Sequence, residues 1–280
     1  MSKFNNPHQT QPTSLFSLVT SIAKNQQLIF QLIKREVVGR YKGSIFGLAW
    51  SFFNPILMMI IYTFVFSVVF KSRWGSTGAD SKAEFALILF AGMIIFNLFS
   101  EAVIRSPSLI IDRVNYVKKV VFPLEILPVV NLGCALFHAL ISLLVLILAM
   151  TILNGQILWT IVFLPLVLLP LILLILGISW FLAALGVFMR DIGQFIGILM
   201  TILMFLSPIF YPISALPVKY QGWILFNPLS FIIEQARVIL ISGGMPDLLG
   251  LSIYLAFALF AMLSGFAWFQ KTRKGFADVL

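Results

Sequence analysis

The stretch Arg105-Ser-Pro-Ser-Leu-Ile-Ile-Asp-Arg-Val-Asn-Tyr-Val-Lys-Lys-Val-Val-Phe-Pro-Leu-Glu125 is the most chemically distinctive segment of this chain. Ser106 followed by Pro107 reads as a helix N-cap with proline at the first helical position. Leu109, Ile110, Val114 and Val117 then recur at helical spacing, with Asp112, Arg113, Lys118 and Lys119 on other faces. Pro123 stops the segment before the next apolar run. The pattern predicts a short amphipathic coupling helix over residues 106–119, a lever that a soluble partner pushes; a basic topology anchor fits the same residues. Other reactive groups are few. His8 lies in a polar tail, and His138 lies in an apolar run, where a satisfied interhelical hydrogen bond is its expected role. The single Cys134 rules out an intrachain disulfide and a cysteine-based metal site, and no metal site is expected. No GxxxxGK[ST] phosphate loop occurs, so any ATP chemistry must come from a partner chain. Glu101 and Arg105, one helical turn apart, predict a local ion pair.

These residues are positioned by elements whose solvent is lipid. The 64 residues from Ile126 to Met189 contain no Asp, Glu, Lys or Arg. As one helix they would extend about 96 Å at the α-helical rise, against about 30 Å of hydrocarbon. The run must fold back on itself, and Asn154-Gly155-Gln156 is the place for the turn. Hydrophobic residues make up 60% of the chain and charged ones 10%, where soluble domains carry roughly 25% charged residues. The polar first 13 residues and the amphipathic segment after them do not read as a cleavable signal peptide.

The uncharged runs predict an all-α integral membrane protein with six transmembrane helices. The spans fall at about residues 44–70, 85–105, 126–153, 157–189, 192–212 and 248–270. Between the last two spans the apolar stretch Tyr220 to Ile233, 14 residues bounded by Pro217 and split by Pro228, is too short to cross, and residues 213–246 read as a re-entrant helical pair on the outer side. Residues 1–43 form a tail and an interfacial amphipathic helix. In that helix Leu15, Leu18, Val19 and Ile22, then Leu28, Ile29, Leu32, Ile33 and Val37, line one side, and lysines and glutamines occupy the other. Packing of the same stripe against another protein is compatible with this. Six crossings put both termini on one side, and 14 of the 19 basic residues fall on that side. The positive-inside rule makes it cytoplasmic. The net charge of +9 is thus an orientation signal and an attraction for anionic lipid; nucleic acid is not an expected partner.

On this topology the chain resembles the permease subunits of type-2 ABC transporters that export polysaccharides, the O-antigen, capsule and teichoic-acid exporters. The resemblance runs through Arg40-Tyr-Lys-Gly-Ser-Ile-Phe-Gly-Leu-Ala-Trp-Ser-Phe-Phe-Asn-Pro55 and Asn115-Tyr-Val-Lys-Lys-Val-Val-Phe-Pro-Leu-Glu125. It continues in Arg190-Asp191-Ile192, Ser207-Pro-Ile-Phe-Tyr-Pro212, and Asn227-Pro228 with Ile233-Glu-Gln-Ala-Arg237. It implies a homodimer in the bacterial inner membrane that binds two copies of a separate ABC ATPase, with ATP and Mg held by that subunit and no cofactor in this chain. The substrate it implies is a lipid-linked glycan, typically on a polyprenyl diphosphate, moved from cytosol to the outer face. ATPase coupling would fall on Asp112, Arg113, Asn115, Tyr116, Lys118 and Lys119, with a second contact at Arg190 and Asp191. An outer gate would include Ser207, Pro208, Tyr211, Pro212 and Pro228.

Within that reading, Arg35, Arg40 and Lys42 at the cytoplasmic mouth offer donors for the diphosphate, since a guanidinium matches phosphate oxygens with two parallel bonds; their other role is orientation. Along span one Trp50, Asn54, Met58, Tyr62, Phe66 and Phe70 recur every fourth residue, a row that drifts about 40° per step. Trp50, Asn54 and Tyr62 are the members expected to line a channel. Gly43–Gly47 and Gly193–Gly197 have the spacing of close helix contacts between protomers. The alternative is a membrane-embedded enzyme acting on polyprenyl-phosphate lipids. It would need clustered carboxylates, and the outer side offers only Asp80, Glu84, Glu234 and Asp247, scattered over two loops.

Overall fold

The computed structural model describes residues 14–65, 82–118, 122–155 and 157–280. Lys119, Phe66, Phe70 and the end of the first expected span lie outside them. The described residues are helical, without a strand. Five helices are long and apolar enough to cross a membrane: Gly47–Val65, Glu84–Ser108, Leu124–Leu153, Trp159–Phe188 and Leu248–Val279. A bent pair, Val218–Ile224 with Pro228–Ser242, would make a sixth if it counts as one span.

Two N-terminal helices, α1 (Leu15–Lys24) and α2 (Gln26–Tyr41), stand where one was expected. The break is at Asn25, whose side-chain amide donates to the Ser21 carbonyl at 2.8 Å and so competes with the helical backbone. Leu18, Ile29, Leu32 and Val37 are buried, whereas Leu15 and Val19 are exposed. Ile29 and Leu32 pack on Ile126 and Val130, so α2 lies against the start of α6 (Leu127–Asn154). Gly43 and Gly47, in the turn to α3 (Trp50–Tyr62), have φ of 87° and 50°. Nothing of this chain lies within 4 Å of a Cβ added at either.

The central helix is α4 (Lys82–Arg105), buried along most of its length through Leu87, Ala91, Ile95, Leu98 and Ala102. It packs on α6, which ends at Gly155 in a left-handed conformation (φ 68°). The expected reversal of the long uncharged run thus sits at Gly155, where the absence of a Cβ removes the steric cost of positive φ. The returning helix α7 (Leu164–Phe188) pairs with α11 (Leu248–Thr272). A Cβ on Gly265 would lie 2.0 Å from the Gly177 carbonyl oxygen, and one on Gly177 would lie 2.5 Å from that of Ala261. The small-residue seam of the fold is here. In lipid, such close approach gains dispersion contacts that longer side chains would prevent.

Residues 106–118 are segmented and do not form the single expected helix. Short 3₁₀ turns at Ser106–Ser108 and Ile111–Arg113 precede α5 (Val114–Lys118). The buried Ser106 hydroxyl donates to the Ala102 carbonyl at 2.7 Å and caps no new helix. The Pro107 carbonyl rests so close to α7 that a Cβ on Gly186 would come within 2.1 Å of it. Docking of this turn, with burial of Leu109 and Ile110, overrides the helical period.

The fifth expected span is also shorter than its uncharged run. Helix α8 (Ile192–Leu206) has 15 residues, about 22 Å. It ends where Ser207 turns extended and donates its hydroxyl back to the Leu203 carbonyl, with Pro208 next. Then α9 (Val218–Leu225) and α10 (Pro228–Arg237) follow, meeting at a bend of 97°. Asn227 caps α10 through Leu229 N at 3.0 Å, with Pro228 in its first turn. A last short helix, α12 (Phe276–Val279), closes the chain.

The α7–α11 seam makes a direct prediction. Gly265→Val should lower stability by about 3 kcal/mol, the upper end of overpacking costs, read as a drop in the thermal midpoint of the solubilised protein. Gly222→Val, at a glycine with open space around it, should leave that midpoint within experimental error.

Candidate functional site

The end of α2 and the facing sides of α3, α4 and α6 enclose a cleft of about 640 Å³. Four residues singled out from the sequence meet here: Arg40, Trp50, Asn54 and Tyr62. All four described members of the row along α3 face the cleft, Met58 included, where only Trp50, Asn54 and Tyr62 were expected to. Its members at positions 50, 54, 58 and 62 line the cleft together with Ser51 and Pro55, so the lining follows a stripe wider than every fourth residue. Opposite them, α4 contributes Asn97, Ser100, Glu101 and Arg105, and α6 contributes His138 and Ser142. Asn97 stands out because it is exposed on an otherwise buried stretch of α4. Aromatic faces alternating with amide, hydroxyl and charged groups make a surface that can hold a polar chain weakly at many points. Arg35 and Lys42 are not part of it: Arg35 donates to the Tyr116 hydroxyl at 3.3 Å, and Lys42 is exposed in the turn after α2.

One wall of the cleft carries its charge. Arg40 forms an ion pair with Glu101. The His138 ring is also on Glu101, with Nδ1 at 2.9 Å from Oε1, and its Nε2 lies 3.3 Å from the Tyr41 hydroxyl. A single tautomer, with Nδ1–H donating to the carboxylate and Nε2 accepting from Tyr41, satisfies both contacts. His138 thus has the interhelical bond expected of it. Burial pushes the Tyr41 phenol above its ordinary value, which keeps it a donor.

The expected Glu101–Arg105 pair within α4 is absent. Arg105 turns to Glu36 on α2, at 3.6 Å, while Glu101 turns to Arg40 and His138. A local pair one turn apart gains only about 0.3–0.5 kcal/mol. A largely buried carboxylate without a partner costs several, and both Glu36 and Glu101 are more than three-quarters covered.

The segment at residues 106–118 and its surroundings sort the remaining charged candidates. Asp112, Asn115 and Lys118 face outward, with Asp112 accepting from Ser108 at 2.8 Å. Arg113 instead turns inward to Glu36 and to the Leu109 carbonyl. Tyr116 stacks on Phe122 at 4.4 Å. Arg190 and Asp191 are exposed beside the turn at residues 106–108, which α7 and α8 both touch. Nearby, Glu125 joins three elements by accepting from Ser21 and Arg273 through its carboxylate and from the Trp180 indole through its carbonyl.

At the opposite end, Pro208, one of the groups expected at an outer gate, meets Arg237, the last residue of the motif Ile233-Glu-Gln-Ala-Arg237. Arg237 is 4% exposed. It donates to the carbonyls of Pro208 and Ile209, to that of Ile88 on α4, and to Glu234. Asn227 donates to the Ser207 hydroxyl at 2.8 Å, and Tyr211 donates to the Phe205 carbonyl at 3.0 Å. Pro212 leads into the 3₁₀ turn Ile213–Ala215. The sign in the sequence was a single arginine inside the apolar run Phe231–Ile241, since an ionisable group at that depth needs a built partner set.

Comparison with known proteins bears on this arrangement. The model of the ABC-2 type transporter family matches residues 27–241. The O-antigen export system permease protein RfbA of Myxococcus xanthus is 28% identical over 268 residues, covering 94% of this chain and 99% of that protein. A Klebsiella pneumoniae protein of the same name is 26% identical over 257 residues, 90% of this chain and 95% of its own length. The polysialic acid transport protein KpsM of Escherichia coli is 26% identical over 250 residues, 87% and 92% of the two chains.

Arg237 makes a testable prediction. Arg237→Leu leaves the Pro208 and Ile209 carbonyls and Glu234 short of their donor, at about 3 kcal/mol or more. The thermal midpoint should fall clearly, and protease cleavage should appear between residues 207 and 217 in the folded protein. Arg237→Lys, unable to reach three carbonyls with one ammonium, should fall between the two.

Proposed function

The chain belongs to the ABC-2 type transporter family, and on that premise we propose that it is the membrane permease of an exporter carrying a polysaccharide across the bacterial inner membrane. The observation that supports this reading best is the cleft of about 640 Å³, lined by aromatic and polar side chains, with Arg40 at one end. The substrate is a glycan on a polyprenyl diphosphate. Arg40 meets the diphosphate at the cytoplasmic mouth, and Trp50, Asn54 and Tyr62 give the sugars successive weak contacts. Weak binding at every step suits conduction, because a chain held tightly at one point does not move on.

Energy comes from a separate ABC ATPase, two copies to a permease dimer, with ATP and Mg on the ATPase. Its docking surface is made by the outward-facing Asp112, Asn115 and Lys118 together with Arg190 and Asp191. Arg113 and Tyr116 hold that surface in shape and do not touch the partner. The two permeases meet across the face of α8 that carries Gly193 and Gly197, where nothing of this chain lies within 4 Å of an added Cβ. Helices α9 and α10 dip in from the outer side and return, so α8 with residues 207–212 counts as the fifth crossing and both termini are cytosolic. Arg237, by clamping residues 208 and 209, keeps the outer gate formed.

Three measurements test this reading. Impermeant thiol reagents should label a cysteine at Lys219 from outside and spare one at Asn115 or Lys274; the opposite pattern overturns the topology. The double change Asp112→Ala and Lys118→Ala should reduce recovery of the ATPase with the tagged permease while the permease itself folds and inserts normally. Arg40→Gln should retain insertion and ATPase binding but weaken activation of hydrolysis by the diphosphate-linked glycan by roughly tenfold, as expected for one lost charge-assisted bond. Unchanged activation would move the headgroup site elsewhere.

A further inference from the structure

Two helices each carry an acid and a base one turn apart, Glu36 and Arg40 on α2 and Glu101 and Arg105 on α4, and they pair crosswise. Arg40 meets Glu101, and Arg105 meets Glu36. Each carboxylate then takes further partners: Glu36 takes Arg113 from the cytoplasmic segment and the Cys134 thiol from α6, and Glu101 takes His138 from α6. The result is a network of two ion-pair clusters, Arg113–Glu36–Arg105 and Arg40–Glu101–His138, linked to each other only through the backbones of α2 and α4; the first runs from the segment at residues 106–118, through α2, to the wall of the cleft. Arg40 and Arg105 both line that cleft, and they are the most exposed members, at 49% and 42% of their side-chain surface; Glu36, Glu101, Arg113 and His138 are all at 20% or less. Three arginines face two carboxylates, so the network carries excess positive charge, and its accessible part is the arginine pair in the cleft.

From this we infer that Glu36 is a positioning residue through which occupancy of the cleft by a diphosphate is reported to the cytoplasmic segment. The inference rests on the proposed diphosphate site at the cleft mouth and adds to it a second arginine, Arg105, and a route outward. A phosphate entering the cleft competes with Glu101 for Arg40 and with Glu36 for Arg105, since both arginines can turn toward it without leaving the cleft. Glu36, released from Arg105, keeps Arg113 and the Cys134 thiol. Its pull on the segment carrying Asp112, Asn115 and Lys118 then changes, and α2, no longer tied to α4 at two points one turn apart, is free to shift along it. Only ion pairs are exchanged; no bond is made or broken. Electrostatic exchange suits such a switch because partly exposed pairs lie within about 1 kcal/mol of balance, so a doubly charged ligand can reverse them.

The test uses the full permease–ATPase complex in nanodiscs of phosphatidylcholine, with a synthetic undecaprenyl diphosphate disaccharide as probe and the same disaccharide on phosphate-free undecaprenol as its control. The wild-type complex should hydrolyse ATP several-fold faster with the diphosphate probe and not with the control. Glu36→Gln should assemble, keep its basal hydrolysis and bind the probe with an affinity within about threefold of wild type, yet lose the stimulation. Glu36→Asp should restore most of it, which a merely structural role for this side chain would not require. Arg105→Gln reaches the same pair from the cleft side without touching Arg113, and should also lose stimulation. Full stimulation in either glutamine variant overturns the relay. Equal stimulation of the wild type by the phosphate-free lipid, or by adding phosphatidylglycerol alone, overturns it as well, while leaving the permease reading intact. A wild-type complex that neither binds nor exports the diphosphate-linked glycan would instead count against the proposed site itself.

Discussion

Inside a bilayer no water is available to satisfy a backbone N–H or C=O, and the rest of this structure answers to that constraint. Most of the chain meets it by remaining helical. Where it does not, a side chain supplies what the helix no longer can. At the end of α8 the carbonyls of Pro208 and Ile209 have no helical partners, and Arg237 donates to both from a helix that follows almost thirty residues later. The guanidinium is suited to this because its donors diverge in one plane and its charge persists when buried. Its remaining donors reach Ile88 and Glu234, so the irregular backbone, the central helix and the bent pair become one body. Thr160 does the same on a smaller scale by donating to the Ile239 carbonyl beside the π-helical turn Val238–Ser242.

Lipid also changes what holds helices together. Apolar side chains gain nothing by leaving lipid for one another, so close backbone approach and specific polar contacts carry the association. The α7–α11 seam, with Gly177 and Gly265 against opposing carbonyls, is the first kind. The second kind clusters around the end of α4 and the start of α6, where Glu36, Glu101 and Glu125 each gather partners from two or more elements. The molecule thus has a glycine-packed half at α7 and α11 and a charge-linked half at α2, α4 and α6, with Glu125 bridging them through Trp180 and Arg273. The second is the half suited to rearrangement, because ion pairs at a partly wet boundary exchange at little net cost whereas backbone packing does not.

The cleft lies in the charge-linked half, between helices of different character. Helix α4 is buried nearly throughout, while α3 is exposed along most of its length. A rigid wall therefore faces a wall with few neighbours in this chain. For a conduit that must pass a bulky polar polymer, such asymmetry lets one side move while the other keeps the charged groups in register. The family membership and the similarity to named O-antigen and polysialic acid transport proteins agree with a role in moving glycans.

The sequence by itself determined the solvent, the apolar helices and their main reversal, because hydropathy and turn chemistry are local and accumulate along the chain. The uncharged run from Ile126 to Met189 demanded a hairpin, and Gly155 provides it. Trp50, Asn54, Tyr62 and Arg40 could be singled out and do share one cleft. Partner choice among charges was beyond reach. Spacing proposed Glu101 with Arg105, but burial of two carboxylates made crosswise pairing between α2 and α4 the better solution. The close helix contact within this chain uses Gly177 and Gly265, which no short motif links. The amphipathic period at 106–118 was real, but docking of Pro107 on α7 broke the helix it implied. Arg237, the one buried arginine among the described residues, bonds to a carbonyl 149 positions away. Such contacts depend on where the chain returns in three dimensions, and only the tertiary structure decides which groups are left without water and must find each other.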